Sequence, residues 1–132
     1  DKPSEEFKWP VGLLGSDESV LTGAVSKQDA IVMKYDSGKT RYELLPPELM
    51  HGVAEILTFG AKKYADRNWE LGMDWSRVYG ALMRHLWAWW NPFQSSVDEE
   101  TGKSHLWHAG CCLAFLIAYE QRNVGKDDRP TK

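Results

Sequence analysis

Three blocks between residues 47 and 123 repeat apolar side chains at the spacing of an α-helix, and each block carries its own start and stop. In the first, Leu49, Val53, Ile56, Leu57 and Gly60 form one stripe. Pro46-Pro47 opens it, because proline is tolerated in a first helical turn. A helix is expected from about Pro47 to Tyr64. In the second, Val78, Leu82, His85 and Trp89 share a face, Asp74 stands at the N-cap, and Asn91-Pro92 stops the hydrogen-bond ladder. This predicts a helix over 75–90. The third begins after Ser104, a further N-cap, and runs to near Asn123. Its predicted core face is Leu106, Ala109, Leu113, Leu116 and Ile117, with His105, His108, Cys112, Phe115 and Tyr119 along another. The expected fold is all-α, a compact helical bundle of about three to four core helices.

Residues 1–33 lack a sustained period and are punctuated by Pro3, Pro10, Gly12, Gly15 and Gly23. They read as an irregular N-terminal arm, with room for one short strand or helical turn. The patches Trp9 to Leu14 and Ala30 to Met33 are expected to pack it on a body. Residues 34–123 are the predicted helical domain. Residues 124–132, ending G-K-D-D-R-P-T-K, are predicted to be a frayed, flexible tail.

The formal charge of −3 argues against a basic binder of nucleic-acid polymers and favours a local basic patch for a small anion. No apolar run is long enough to cross a bilayer, so no membrane partner is expected. Cys111 and Cys112 are neighbours inside an apolar run and cannot close a useful loop. They read as small buried hydrophobes in a reducing compartment, and with no leader pattern evident they predict a cytoplasmic protein.

Ser37-Gly38-Lys39-Thr40 resembles the end of a P-loop, but position 33 is Met where the motif needs Gly, and prolines follow instead of a helix. Lys34, Lys39 and Arg41 nevertheless gather around a turn at Asp36, Ser37 and Gly38, and such a cluster suits phosphate oxygens; the plainer reading is a solvated basic loop. Lys62, Lys63, Tyr64, Arg67, Asn68 and Trp69 combine cations, an amide and aromatic rings at one helix end. Cations there also complement the helix dipole, and Trp69 also reads as core, whereas Asn beside an aromatic suits a base edge and its face.

His105 and His108 stand three apart on one helix, His85 lies on the preceding helix, and Asp98, Glu99 and Glu100 occupy the loop between them. Neutral imidazoles with carboxylates are the ligand set for Zn, Mn, Fe or similar divalent ions, while Mg is less at ease with His. The group is predicted to serve metal or phosphate.

The segments 34–47 (K-Y-D-S-G-K-T-R-Y-E-L-L-P-P), 57–69 (L-T-F-G-A-K-K-Y-A-D-R-N-W), R-H-L-W-A-W from Arg84 and 98–109 (D-E-E-T-G-K-S-H-L-W-H-A) resemble the phage dATP/dGTP diphosphohydrolase N-terminal family. That family is related in character to the MazG-like all-α nucleoside triphosphate pyrophosphohydrolases. The resemblance covers about residues 34–120. It implies an oligomer of phage origin that cleaves a purine deoxynucleoside triphosphate to the monophosphate and pyrophosphate. The wider superfamily holds Mg²⁺ with E-x-x-E and E-x-x-D pairs. Here the comparable helices read Arg84-His85-Leu86-Trp87-Ala88 and His105-Leu106-Trp107-His108.

The combined expectation is a metal-dependent hydrolase using Mg, Mn or Co, with Zn also in range. His85, His105, His108 and Asp98 hold or flank the ion. Glu55, Asp98 or Glu100 orients or deprotonates water. Lys34, Lys39, Arg41, Lys62, Lys63, Arg67 and Arg84 contact phosphate, and Tyr64, Asn68 and Trp69 stand on the base side. The rival reading is a non-catalytic nucleotide binder or an inhibitor of a host enzyme. Three helices with many Trp leave more apolar surface than a monomer of this size should expose, which predicts a homo-oligomer.

Overall fold

Prolines and caps set the helix limits within about a residue of the sequence pattern. A computed structural model describes residues 30–131. These residues fall in two units that divide between Pro46 and Pro47. In the first, the Lys39 N–H donates to the Asp36 carbonyl at 3.1 Å, forming the expected turn, and a 3-10 turn follows at Tyr42–Leu44. The expectations for residues 1–29 lie outside the described residues.

The second unit holds helices α1 (Pro47–Lys63), α2 (Trp75–Trp90) and α3 (His105–Arg122), with a 3-10 turn at Asn68–Leu71 between the first two. There is no strand among the described residues, and the pairings Asp74 with Lys126 and Val97 with Ser104 are isolated bridges. No described helix is long and apolar enough to cross a membrane. Helix α3 packs on both of the others. It meets α1 where a Cβ on Gly52 would come within 2.7 Å of the Trp107 ring, so the indole needs that missing side chain. It meets α2 through a core of Trp75, Val78 and Tyr119, with Trp69, Met73, Cys112 and Phe115 packed around them.

Three local expectations are corrected. The core face of α3 is only partly the expected one: Ala109 is buried and Leu116 packs on the core, joined by Cys111 and Tyr119, while Leu106, Leu113 and Ile117 remain 40%, 49% and 55% exposed. The helix is apolar almost all round, so periodicity alone could not say which face turns inward. Asp74 makes no side-chain cap; the carboxylate of Asp128 takes its place, accepting from the Ser76 N–H at 2.9 Å and from the Ser76 hydroxyl. Finally, residues 124–129 are docked where a frayed tail was expected. The Trp75 indole N–H donates to the Val124 carbonyl at 2.9 Å, the Trp75 N–H to the Lys126 carbonyl at 2.9 Å, and the Arg129 guanidinium lies over the Trp75 ring. By contrast, Ser104 caps α3 as expected, accepting from the Leu106 N–H.

Gly125 lets the tail turn onto α2. Its φ is +79°, and a Cβ there would stand 2.4 Å from the Met73 carbonyl oxygen. Gly125→Ala is therefore expected to lower stability by roughly 1–3 kcal/mol from strain and clash. Gly102→Ala, also at positive φ but with open space around it, should cost less. Denaturant unfolding of both variants checks the order; equal losses would mean that the docked tail contributes nothing.

Candidate active site

The connector between α2 and α3 folds into a tight acidic loop. The Asp98 N–H donates to the Lys103 carbonyl at 2.8 Å, and Gly102 takes a φ of +71° to complete the turn. Asp98 Oδ1 in turn accepts the N–H groups of Glu100 at 2.9 Å and Thr101 at 3.1 Å. This Asx turn fixes the Asp98 carboxylate, while Glu99 and Glu100 stay exposed.

Helix pairing brings three imidazoles to this carboxylate. His85 Nδ1 and His105 Nδ1 stand 2.9 Å apart, and the His85 ring stacks on His108 with centroids 4.5 Å apart. Burial and the neighbouring His108 and His105 push the His85 pKa down to about 4. Burial also lowers that of His108. For Asp98, burial works upward, but the Thr101 and Glu100 N–H groups and the adjoining imidazoles leave it below the usual carboxylate range. The cluster is thus three imidazoles, at least two of them neutral near pH 7, around an ionised carboxylate.

One donor atom each from His85, Asp98 and His105 lie within 4.8 Å of one another. Two donors each about 2.1 Å from one ion stand roughly 3 Å apart, so the facing Nδ1 atoms suit a shared cation. Neutral nitrogen with anionic oxygen fits Mn²⁺, Co²⁺ or Zn²⁺ better than Mg²⁺. His108 is outside this donor group. Its Nε2 is 2.7 Å from the Thr101 hydroxyl, which also accepts the Lys103 N–H and approaches Asp98. Thr101 escaped the sequence reading; its place three residues after the turn-forming Asp98 is the signal that could have marked it.

Two hollows flank the imidazole stack. The smaller, about 680 Å³, is lined by His85, Asp98 and His105 together with Arg84, Trp87 and Gln94. The larger, about 1060 Å³, is lined by Lys63, Tyr64, Arg67, Asn68 and Trp69, and also by Glu100 and His108. Arg77 and Arg122 line it too, and sequence spacing gave no sign of either. Lys63 is paired with Glu100, and Glu70 binds Arg122 at 2.9 Å and Arg67 at 3.5 Å. Trp69 stacks on Phe115 with centroids 4.5 Å apart, as the core reading of that residue anticipated. Lys62 lines neither hollow, and Glu55 is turned to Lys103 at 3.3 Å and His51 at 3.8 Å. Lys34, Lys39 and Arg41 belong to the first unit, where Arg41 is paired with Glu43 at 2.8 Å. Cys111 is buried and Cys112 half-buried; burial pushes the Cys111 thiol up to about 12, which leaves it inert.

Residues 29–129 match the family described as dATP/dGTP diphosphohydrolase, N-terminal. The chain belongs to this family. A dATP/dGTP diphosphohydrolase of Salmonella phage PMBT28 is 32% identical over 97 residues, which cover 74% of the chain and 32% of the phage protein. The chain therefore spans about a third of that relative's length. No solved structure matches it.

In this member of the dATP/dGTP diphosphohydrolase N-terminal family, the site's electrostatics have a direct consequence. His85 binds its proton less readily folded than unfolded, since its pKa falls from 6.5 to about 4. The unfolded chain then carries the extra proton between those values, so the His85 contribution to stability is full above pH 6.5 and is lost as pH falls toward 4. An NMR titration of the metal-free protein should give His85 a midpoint near 4. A midpoint near the ordinary 6.5 would contradict the buried, neutral cluster.

Proposed function

We propose that the protein is a divalent-metal-dependent hydrolase that cleaves a purine deoxynucleoside triphosphate, dATP or dGTP, to the monophosphate and pyrophosphate, within phage nucleotide metabolism in the host cytoplasm. The observation that carries this reading is a His85, Asp98 and His105 donor group one ring stack away from a cation-lined cleft. Family membership supplies the substrate class, through the name of the phage relative.

Hydrolysis of a phosphoanhydride needs charge neutralisation, an oriented water and a stabilised leaving group. His85, Asp98 and His105 are the residues that would hold the ion, which when bound supplies positive charge against phosphate oxygens and polarises them. Lys63, Arg67, Arg77 and Arg122 line the cleft as phosphate contacts. Thr101 fixes the His108 ring, and that ring packs against His85, so the pair orients a ligand from behind. Of the three carboxylates considered as base, Asp98 belongs to the donor group and Glu55 faces neither hollow. Glu100 lines the cleft beside Lys63 and is the residue to orient or deprotonate water.

The proposal includes a homo-oligomer. The exposed stripe of Leu106, Leu113 and Ile117 on α3 is spaced for helix packing and would be covered by a second copy. Light scattering should show more than a monomer, and Ile117→Asp should shift the protein toward one; a wild-type monomer at working concentration argues against assembly.

Incubation with each dNTP and Mn²⁺, Co²⁺ or Mg²⁺ should release pyrophosphate, fastest with dATP or dGTP. No pyrophosphate from any combination would remove the hydrolase reading. His85→Ala and His105→Ala should abolish metal binding. Thr101→Ala should weaken it about 10–100-fold, as loss of a ligand's support does. Calorimetric metal titration of the three variants checks the assignment, and unchanged affinity in His105→Ala would overturn it.

A further inference from the structure

Of the described tryptophans, two line the hollows beside the imidazoles, Trp69 and Trp87. They are in opposite states. Trp69 is half-buried, one face stacked on Phe115 at 4.5 Å and an interplanar angle of 13°, with the Arg122 guanidinium 5.6 Å from its centroid. Its carbonyl also accepts the Tyr119 hydroxyl at 2.6 Å. This indole is already packed and has little face to offer a ligand. Trp87 is 68% exposed, and among the described residues no ring stacks on it. It projects from α2 two residues beyond His85, onto the hollow that also contains the donor group.

Gln94 lines the same hollow from the connector. An indole face, a terminal amide and metal donors in one hollow form a set that no core or capping role explains. A base has a π-face that stacks on any aromatic ring, and a Gln amide can both donate to and accept from the edge of a purine. The hollow, about 680 Å³ and open to solvent, has room for a base.

We propose that Trp87 and Gln94 form a nucleobase subsite in the smaller hollow, Trp87 stacking on a purine ring and Gln94 meeting its edge. This deepens the nucleotide reading above and rests on it. It also moves base recognition away from Tyr64, Asn68 and Trp69, which line the larger hollow with the cations. The base then lies on the donor side of the His85–His108 stack.

The test measures equilibrium binding of two probes, dGMP, which carries a base, and inorganic tripolyphosphate, which does not. Trp87→Ala should weaken dGMP binding about tenfold and leave tripolyphosphate unchanged. Trp87→Phe, which keeps a ring, should recover most of the loss. Gln94→Ala should narrow the difference between dGMP and dAMP. An equal loss for both probes, no loss for dGMP, or no measurable dGMP binding by the wild-type protein would each overturn the subsite. Binding and turnover separate the two ideas: selective loss of dGMP in a protein that releases no pyrophosphate would keep the subsite and fail the hydrolase.

Discussion

Tyr119 is the most deeply buried large side chain among the described residues, and its hydroxyl donates to the Trp69 carbonyl at 2.6 Å. One residue near the end of α3 thereby ties together the start of α2, through Trp75 and Val78, and the 3-10 turn that precedes it. The contact makes α2 and α3 antiparallel, because the beginning of one is held to the end of the other. The end of α2 must then lie beside the beginning of α3, which brings His85 to His105 and His108. The core and the candidate site are two ends of one helix pair. Loosening the apolar end changes the register at the polar end, although the two share no atoms.

What gathers at the polar end is unfavourable if charged and favourable if neutral. Protonating His85 and His108, whose rings stack with centroids 4.5 Å apart, places like charges in a half-buried setting. Keeping them neutral leaves Asp98 as the ionised member, and its carboxylate is satisfied by the backbone N–H groups of its own loop. The loop therefore holds its shape through its own hydrogen bonds, with acceptor atoms facing inward. Such preorganisation favours a cation, since little ordering remains to be done when it binds.

The sequence was most informative where chemistry acts locally. Pro47, Asn91-Pro92 and Ser104 set helix ends through one missing donor or one capping oxygen, and the helices begin and end there. The nearness of His85, Asp98 and His105 was suggested by residue type, since imidazoles on two consecutive helices and a carboxylate in the connector share one ligand chemistry. The misread features depend on partners remote in sequence. Nothing near Asp74 announces that Asp128 will cap α2, and Gly-Lys-Asp-Asp-Arg-Pro has the composition of a solvated tail. The inward face of α3 was equally hidden, since Leu113 and Tyr119 are both apolar and only packing against Trp75 chooses between them. His108 was grouped with His105 by spacing; in the structure its Nε2 meets the Thr101 hydroxyl, and it lies outside the His85, Asp98 and His105 donor group.

The cations of the larger hollow raise a last question of balance, because each of three is already met by an acid: Lys63 by Glu100, and Arg67 and Arg122 by Glu70. Under the proposed function, a triphosphate would compete for them. These pairs are exposed on the cation side, and exposed ion pairs contribute only about 0–1 kcal/mol each, so exchanging a carboxylate for a phosphate oxygen costs little. The exchange also releases acids within the site. When Lys63 turns to phosphate, Glu100 loses its partner in the loop that carries Asp98, two residues from the donor group. Under the proposed hydrolysis, the exchange that anchors the anion would leave Glu100 free to orient a water.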